Sequence, residues 1–443
     1  MHTKYDLVII GAGCAGLSLG YQLAKLKGNV PKTLLIEPRL TYENDRTWCF
    51  WAEVDNPFAN LPMHQWKEVL VVNDGLEIKL DCSNRPYQVL SAIDFYEHTI
   101  NEIRSNSRTQ LSLGISVLKD PEYKNGSWLL VTNKGVVATD LVVDTRPRLT
   151  KIRGANEKQN NEKQNNEKQN NEKQNNENQS NEKQSNEKQS NEKQSNESES
   201  QKAISTDEIT TLWQSFSGYE VECEGQVFDP LRASLMDFSK PNSEYVGFTY
   251  VLPFTKNTAL IEFTTFGATP FSPYALCAHL EQAIQKYTRG HTYNLRRAES
   301  GLIPMGLKSL ALGHPKINPG GNQTYVYAGV NAGAARAATG YAFQRIQNWA
   351  SECALSIVRN GHPTLASKDS FIVKQMDSLF LKVLKNNPKL GPTLFASLFS
   401  SVDTNRLIRF LTDGGNFLDY TAVVRALPKG LFLKELYKSV ASK

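Results

Sequence analysis

The sequence has few of the features that stabilise small secreted or metal-bound proteins. Only six cysteines occur among 443 residues, no two form a CxxC pair, and no His/Cys cluster has metal-ligand spacing. These absences argue against a disulfide framework and a metal site, and they favour a reducing cytosol. No run of about 18 apolar residues occurs, so no bilayer-spanning segment is expected. The N-terminus enters a predicted strand without a signal peptide, which predicts a cytoplasmic protein.

Residues 156–200 lack apolar side chains altogether. They consist of nine five-residue units, most of them NEKQN or NEKQS. Five residues advance an α-helix by about 140°, so no helical face repeats, and there is nothing apolar to bury. The pattern predicts a disordered insertion over 154–204, in a surface loop whose lengthening costs little entropy.

The last sixth of the chain carries an excess of positive charge. From residue 370 to the end, 11 basic residues stand against 5 acidic ones, among clusters of Phe, Leu and Val. Such a charge suits an anionic membrane surface better than a nucleic-acid groove, so no nucleic acid is expected as a partner. The segment 365–443 is predicted to be helical, either docking on a membrane or capping a sheet.

The first chemical motif opens the chain. An apolar run at 5–10, the turn GAGCAG at 11–16, an amphipathic stretch at 17–27 and a second apolar run at 33–36 form a βαβ unit. Glycines in such a turn let the backbone approach a pyrophosphate at a helix N-terminus, and a carboxylate after the second strand binds a ribose diol. The unit predicts a bound adenine dinucleotide, either FAD or NAD. The residues predicted to bind it are Gly11, Ala12, Gly13, Ala15, Gly16 and Glu37.

Three aromatic residues follow this unit within four positions. The stretch DRTWCFW at 45–51 contains Trp48, Phe50 and Trp51. These side chains could line an apolar pocket beside a cofactor, or they could belong to a core strand, which composition alone favours.

A carboxyl group lies within a predicted strand at 258–265. In strand geometry Leu260, Glu262 and Thr264 share one face. Glu262 could face solvent from an edge strand, which is the commoner arrangement, or it could be buried at a site. Burial among apolar neighbours would raise the pKa of its carboxyl group, as a general acid at neutral pH requires.

A second glycine-rich turn, GVNAGAARAATGY at 329–341, precedes a predicted helix. Two such turns, one at each end of a split domain, are typical of flavoproteins. The residues of this turn predicted to bind the cofactor are Gly329, Gly333, Thr339 and Gly340.

The order of predicted elements indicates an α/β fold. A Rossmann-like FAD-binding domain, of the flavoprotein monooxygenase/reductase type, is predicted from 1–50, 100–150 and 295–360. It is interrupted by a mixed β-sheet substrate domain from 51–99 and 205–294. A helical C-terminal region follows from 365.

Six motifs together resemble the flavin-dependent lycopene β-cyclases of bacteria and plants. They are GAGCAG, DRTWCFW, VVDTRP at 142–147, YVLPFTKNTALIEFTTF at 250–266, GLIPMG at 301–306 and ATGYAF at 338–343. The resemblance covers nearly the whole chain except 154–204. The family pattern often has His where this chain has Arg46 and Trp51, and an acidic residue where it has Phe263. These departures concern substrate range more than reaction class.

The resemblance implies a non-redox reaction in which the ψ ends of lycopene become β-ionone rings, giving γ-carotene and then β-carotene. It implies Glu262 as the proton donor, FAD in its reduced form, and NAD(P)H as the reductant that keeps the flavin reduced. It also suggests Asp237 as a second catalytic carboxylate. Trp48, Phe50, Trp51 and Tyr341 are expected in the substrate pocket. Lycopene and related acyclic carotenoids, a membrane surface and other enzymes of the carotenoid pathway are the expected partners, with a peripheral membrane location in the cytoplasm.

Two alternatives of different kinds remain at this point. A flavin monooxygenase or a prenyl or carotenoid reductase has the same overall fold, and fold does not fix function. Those enzymes usually carry Gly-Asp at the second turn, where this chain has Gly329 and Val330, which favours the cyclase. A non-catalytic flavin or carotenoid carrier would need no protonated carboxyl group.

Overall fold

We describe the protein from a computed structural model. The structure describes residues 4–53, 56–61, 63–147, 210–238, 241–307, 315–318, 321–365 and 369–441. The predicted repeat insertion at 154–204 lies outside the described residues. All described residues belong to one unit of the chain, formed by 1–147 and 207–443.

The described residues form eighteen strands in three sheets. The strands are β1 (Lys4–Ile10), β2 (Thr33–Glu37), β3 (Thr47–Trp51), β4 (Met63–Trp66), β5 (Glu68–Asn73), β6 (Leu76–Asp81), β7 (Tyr87–Ser91), β8 (Thr109–Leu113), β9 (Glu122–Lys124), β10 (Ser127–Thr132), β11 (Gly135–Asp144), β12 (Leu212–Cys223), β13 (Arg232–Phe238), β14 (Tyr245–Pro253), β15 (Thr258–Gly267), β16 (Tyr293–Met305), β17 (Lys316–Ile317) and β18 (Gln323–Tyr327).

The same part of the chain forms nine α-helices and two short 3-10 helices, Val330–Ala332 and Pro388–Leu390. The α-helices are α1 (Cys14–Lys25), α2 (Ala92–Ser105), α3 (Pro273–Thr288), α4 (Phe343–Asn360), α5 (Phe371–Asn386), α6 (Gly391–Ser401), α7 (Thr404–Leu411), α8 (Phe417–Ala426) and α9 (Lys429–Ala441). Among the described residues, no helix combines the length and the apolarity needed to cross a membrane.

The first sheet has the parallel core predicted from the apolar runs near the N-terminus. Strands β18, β11, β1, β2 and β8 lie in this order and run parallel, and the antiparallel strand β17 flanks β18. Helix α1 packs with α2 and α4 on one face of the sheet. Strands β9 and β10 extend from β11 and add residues to the apolar cluster of the other face. Both faces are covered, which explains why these strands are apolar almost throughout.

The turn after β1 depends on two glycines. Gly11 has a φ of +89°, a backbone conformation that residues with a β-carbon rarely adopt. A β-carbon added at Gly16 would lie 2.0 Å from the carbonyl oxygen of Gly11. The glycine at 16 therefore lets α1 start directly against the strand that precedes it.

The second sheet has the strand order β16-β12-β15-β14-β13-β5-β6 and is antiparallel except between β13 and β5. Helix α3 covers one face, against Ile261 and Phe263. Helices α5 to α8, which we call the helical cap, pack in the apolar cluster of the other face, where Phe380 and Phe395 meet Phe248. The predicted helical C-terminal region is thus present, and it covers this sheet.

The structure differs from the predicted domain division in two places. Residues 295–305 belong to β16, which extends the second sheet and is not part of the dinucleotide-binding sheet. The predicted boundary between 99 and 100 falls inside helix α2 (Ala92–Ser105), which packs on α1, β8 and β7. A small third sheet, β3-β7-β4, supplies a further strand layer.

A buried ion pair fastens the helical cap to the second glycine-rich turn. The guanidinium of Arg336, fully buried, donates from Nε to Asp377 Oδ2 on α5 at 3.1 Å, and it also donates to the carbonyl oxygen of Phe410 on α7. The backbone N–H of Ala338 donates to the same carboxylate at 3.3 Å. The carboxylate of Asp377 therefore accepts hydrogen bonds from both the backbone of the turn and the buried guanidinium of Arg336.

Candidate active site

A largely apolar cavity of about 1000 Å³ lies between the second sheet and the helical cap. Strands β12, β14, β15 and β16 form its floor, and β3 and β7 contribute to its wall. Its lining includes Gly13 and Val330 of the glycine-rich turns and Val424 and Leu433 of α8 and α9. The site is large enough for an extended ligand in addition to part of a cofactor.

Four neighbouring strands present one row of residues to the cavity floor. Tyr250 on β14 pairs with Glu262 on β15. Gly218 on β12 pairs with Glu262 on one side and with Glu299 of β16 on the other. Residues paired across strands project to the same face, so both carboxyl groups face the cavity with only a glycine between them. A β-carbon at Gly218 would lie 3.0 Å from Cβ of Glu262, and its absence gives this side chain room.

Glu262 is buried, with 8% of its surface exposed, on a central strand of the sheet. The hydroxyl of Thr264 donates a 2.7 Å hydrogen bond to Oε1. Burial and the nearby charge of Glu299 raise the pKa of Glu262 to about 8, against the smaller opposing effects of Thr264 and Arg297. The sequence left open whether this carboxyl group faces solvent or is buried. The structure buries it in a protonated form at neutral pH.

Glu299 lies in the same cavity in a different electrostatic setting. Its Oε2 accepts hydrogen bonds from the hydroxyl of Thr47 at 2.8 Å and from Nη1 of Arg297 at 2.5 Å. Arg297 also donates to Thr47 Oγ1 at 2.7 Å and to Glu220 Oε2 at 3.1 Å. This network ties one oxygen of Glu299 to Arg297 and Thr47.

Sequence reasoning did not single out Glu299 as a site residue. The residue lies two positions before the GLIPMG motif at 301–306. The available signal was the alternation Arg297, Glu299, Gly301 in a strand, which places an ion pair and a glycine on one face. The pairing of this strand with β12, and hence its approach to Glu262, is a long-range fact that local patterns do not contain.

The proposed second carboxylate Asp237 lies elsewhere, which corrects the sequence-based expectation. Asp237 on β13 faces α3, where the hydroxyl of Tyr287 donates to Oδ2 at 2.7 Å and the ammonium of Lys286 forms an ion pair. It pairs with Thr249, whose side chain points away from the face of Tyr250. Asp237 does not line the cavity, because the alternation of β13 turns it to the opposite side of the sheet.

The aromatic stretch divides between the cavity and the core. Trp48 and Tyr341 line the cavity, as expected. Phe50 instead stacks on Phe343 with ring centroids 5.1 Å apart, inside the core of the first sheet. Trp51 packs on Tyr87 at 4.7 Å and stands edge-on to Tyr341 at 5.5 Å, without reaching the cavity. Phe50 and Trp51 are therefore supporting residues, as the core-strand alternative predicted.

The first glycine-rich turn has room for a phosphate group. A β-carbon added at Gly13 would meet no atom within 4 Å, and Gly13 begins α1 without a capping side chain. The helix N-terminus is thus free to donate to an anion. Glu37 is buried, and its Oε2 accepts from the backbone N–H of Ala12 at 2.7 Å. Arg39 donates to its Oε1 at 3.0 Å and borders the cavity.

The second turn lies against the first. A β-carbon added at Gly329 would be 3.5 Å from Cβ of Ala15, so the two turns meet. Gly329 and Gly333 have φ values of +88° and +89°, and Thr339 and Gly340 line the cavity. Of the residues predicted to bind a dinucleotide, Gly13, Thr339 and Gly340 line the cavity, and the two turns that meet there fit such a group. Their contacts with it stay a prediction.

Comparisons with known proteins agree with this architecture. A geranylgeranyl bacteriochlorophyll reductase-like protein from Thermoplasma acidophilum is 13% identical, with a TM-score of 0.55 over 96% of each chain. A flavoprotein/dehydrogenase from Cytophaga hutchinsonii is 10% identical, with a TM-score of 0.55 over 99% of this chain and 100% of that one. An anhydrotetracycline hydroxylase from Streptomyces rimosus is 12% identical, with a TM-score of 0.53 over 93% and 76%. These likenesses establish the fold, and the predicted fold class is confirmed.

The family assignment comes from the sequence. No sequence among the curated proteins matches this chain. The profile of the family described as lycopene cyclase protein matches residues 6–166 and 193–429. Since these ranges cover most of the chain, the protein belongs to the lycopene cyclase family.

Proposed function

We propose that the protein is a lycopene β-cyclase that turns each ψ end of lycopene into a β-ionone ring, without net oxidation or reduction. The observation that carries the proposal is Glu262, a carboxyl group that burial keeps protonated inside an apolar cavity. A hydrocarbon has no polar handle, so its binding depends on apolar walls of this kind. Its activation requires a proton donor with a raised pKa.

FAD is the proposed cofactor, held by the turn at 11–16, by Glu37 and by the turn at 329–341. When bound in its reduced, anionic form, it supplies negative charge that stabilises a carbocation in a dry site. NAD(P)H is the proposed electron source that keeps it reduced. The two turns meet and both contribute to the lining of the cavity, which supports a cofactor placed beside the substrate.

The reaction begins with the proton of Glu262. Transfer of this proton to C2 of the terminal double bond leaves a tertiary cation at C1. The electrons of the C5=C6 bond then form the C1–C6 bond and move the positive charge to C5. Loss of the proton at C6 restores the double bond as C5=C6 and completes the β ring, so one proton enters and one leaves. The rings of Trp48, Phe216 and Tyr250 offer π faces to the cation from the cavity wall.

The test is product analysis in bacteria that accumulate lycopene and express this chain. Conversion of lycopene to γ-carotene and β-carotene is the expected result. Unchanged lycopene in cells whose purified protein carries FAD would instead indicate a monooxygenase, a reductase or a carrier.

Docking on a membrane surface is part of the proposal. Leu433 and Leu436 line the cavity and are 64% and 48% exposed, so the cavity opens where α9 meets solvent. Phe417 and Tyr437 are 71% and 76% exposed nearby in the chain. The basic residues of α8 and α9 are Arg425, Lys429, Lys434 and Lys438. Apolar side chains with basic neighbours suit an anionic bilayer, which also holds the substrate, and peripheral binding in the cytoplasm follows.

The double variant Leu433→Glu/Tyr437→Glu should lose vesicle binding. Two charges on the apolar surface oppose burial in the lipid interface, while both positions are exposed in the folded protein. Flotation with vesicles of mixed anionic and zwitterionic lipid measures the bound fraction, which we expect to fall about tenfold or more. Leu76→Glu, at a 68% exposed position on β6, is the matched control and should bind as the unmodified protein does. Equal binding by the double variant would contradict the docking surface.

Asp237→Asn should leave ring formation within about twofold of the unmodified protein. Its carboxylate contacts only α3 partners among the described residues, and it lies off the cavity. The loss of a charge-assisted hydrogen bond from Tyr287 should lower the free energy of unfolding by about 1 kcal/mol. Chemical denaturation and carotenoid analysis measure the two effects. A complete loss of ring formation in a folded, flavin-loaded variant would show that Asp237 takes part in the reaction.

A further inference from the structure

We propose that Glu299 is the proton acceptor of the cyclisation and forms an acid–base pair with Glu262 across Gly218. The inference rests on the proposed function and assigns the group that receives the proton leaving C6. Glu299 has no role in the steps described above, although it is a buried carboxylate in the substrate cavity.

The first support is the position of the two carboxyl groups. Both are paired with Gly218, one on each neighbouring strand, so their Cα atoms lie about 10 Å apart at the usual strand spacing. Gly218 has no side chain to separate them, and both side chains face the same cavity. C2 and C6 of one folded ψ end are likewise separated by only a few bonds. Glu262 and Glu299 can therefore reach C2 and C6 of the same folded ψ end.

The second support is the free oxygen of Glu299. Its Oε2 accepts from Thr47 and Arg297. Among the described residues, none donates a hydrogen bond to Oε1, and the side chain lines the cavity. A carboxylate that is anchored through one oxygen and open through the other has the geometry of a positioned base.

The third support is the unequal charge environment of the pair. Arg297 forms an ion pair with Glu299, whereas Glu262 forms none among the residues that the structure describes. The titratable groups of the surrounding strands that line the cavity with Glu262 are Tyr250 on β14, Glu299 on β16, Cys49 on β3 and Tyr87 on β7. Arg297 contacts Glu299 and Glu220, and neither Arg297 nor Glu220 lines the cavity. Burial raises the pKa values of Cys49, Tyr87 and Tyr250, so these three stay neutral at neutral pH. Glu299 is therefore the anion that faces both the acid and the cation.

The different charge environments of Glu262 and Glu299 allow the proton to return to Glu262 after each reaction. Glu262 gives its proton to C2, the C1–C6 bond forms, and Oε1 of Glu299 takes the proton from C6 as the C5=C6 bond is restored. Glu262 is then a carboxylate and Glu299 is neutral. Because Arg297 stabilises negative charge on Glu299 and burial disfavours it on Glu262, the proton returns to Glu262. The pair is reset without a net change in protons or electrons.

The test is Glu299→Gln, which keeps the shape of the side chain and removes its charge. With purified, flavin-loaded enzyme, we expect β-ring formation to fall about 100-fold or more. The remaining activity should fall with rising pH at a lower pH than in the unmodified enzyme. The reason is that the negative charge of Glu299, which raises the pKa of Glu262, is gone. A β-ring rate within about threefold of the unmodified enzyme would overturn the proposal. So would a slow variant whose basic limb has not moved, which would indicate a structural role only.

Two further variants keep the result interpretable. Glu220→Gln removes the other carboxylate that contacts Arg297 but does not line the cavity, and it should retain β-ring formation. Glu299→Asp keeps the charge but withdraws the carboxylate, so it should be slower with an unshifted basic limb, and an undiminished rate would count against the acceptor role. An unmodified protein that forms no rings would refute the proposed function itself, which is a different outcome from failure of this inference.

Discussion

Glu262→Gln should abolish ring formation while the protein still folds and binds its cofactor. The amide keeps the hydrogen bond with Thr264 within reach but has no proton to give to C2. Removal of a general acid typically costs a factor of about 100 to 10,000, and an unactivated alkene has no alternative donor, so we expect the upper end of this range. Product analysis by chromatography after a fixed time with reduced flavin measures the rate.

The same residue sets the expected pH dependence. Glu262 donates only when protonated, so activity should be full below its pKa of about 8 and should fall as the pH rises through that value. A basic limb near pH 4.5, the ordinary value, would show that burial does not protect the proton.

Glu262 should also make the stability of the folded protein fall as the pH rises. In the unfolded chain Glu262 ionises near pH 4.5, whereas in the folded chain it stays protonated to about pH 8. The folded state therefore loses stability as the pH rises between these values, by up to about 3 kcal/mol at neutral pH. The side chain of the Glu262→Gln variant does not ionise, so this loss of stability is absent. The variant should unfold at the same or a higher temperature than the unmodified protein. A variant that is both inactive and markedly less stable would point to a structural role.

Gly13→Ala should remove the cofactor without unfolding the protein. The added methyl group meets no protein atom within 4 Å, so folding is not disturbed, but it projects from the start of α1 where a pyrophosphate must approach. We expect the flavin retained on purification to fall about tenfold or more, measured by absorbance per protein. Gly430→Ala, which also meets no atom within 4 Å and lies in α9, is the control and should keep its flavin.

Substitution of Gly16 distinguishes an effect on folding from an effect on cofactor binding. Gly16→Ala would bring its β-carbon to 2.0 Å from the carbonyl oxygen of Gly11, so the chain must shift at a cost of about 3 kcal/mol. This variant should lose both stability and flavin. Full flavin content in Gly13→Ala, with Gly16→Ala destabilised, would mean that the turn is structural and that the cofactor binds elsewhere.

Local patterns were sufficient for much of the fold. The apolar runs around residues 5–10 and 33–36 and the glycines between them predicted a buried parallel βαβ unit, because each element is specified by its neighbours in sequence. The alternation around Glu262 likewise predicted which residues share its face, and Leu260 and Thr264 do line the cavity with it. These features depend on strand periodicity alone.

The remainder depends on pairing between distant segments. Asp237 was assigned to the pocket from its place in the chain, but the alternation of β13 and its pairing with β14 turn it toward α3. Glu299 was overlooked because only the registers of β12 with β15 and β16 bring it beside Glu262. A sequence pattern indicates which face a residue occupies within its strand, whereas tertiary pairing decides what that face meets.

The buried pair of Arg336 and Asp377 has a consequence for how the cavity is filled. Lifting the helical cap would break this ion pair and the hydrogen bond from Arg336 to the carbonyl oxygen of Phe410, so both contacts favour the closed cap. Since Asp377 also accepts from the backbone of the second turn, the conformation of that turn depends on the closed cap. On the proposed function, a long hydrocarbon would therefore enter end-first beside α8 and α9. The molecule would then have to withdraw and re-enter reversed for its second end, so we expect the singly cyclised product to be a free intermediate.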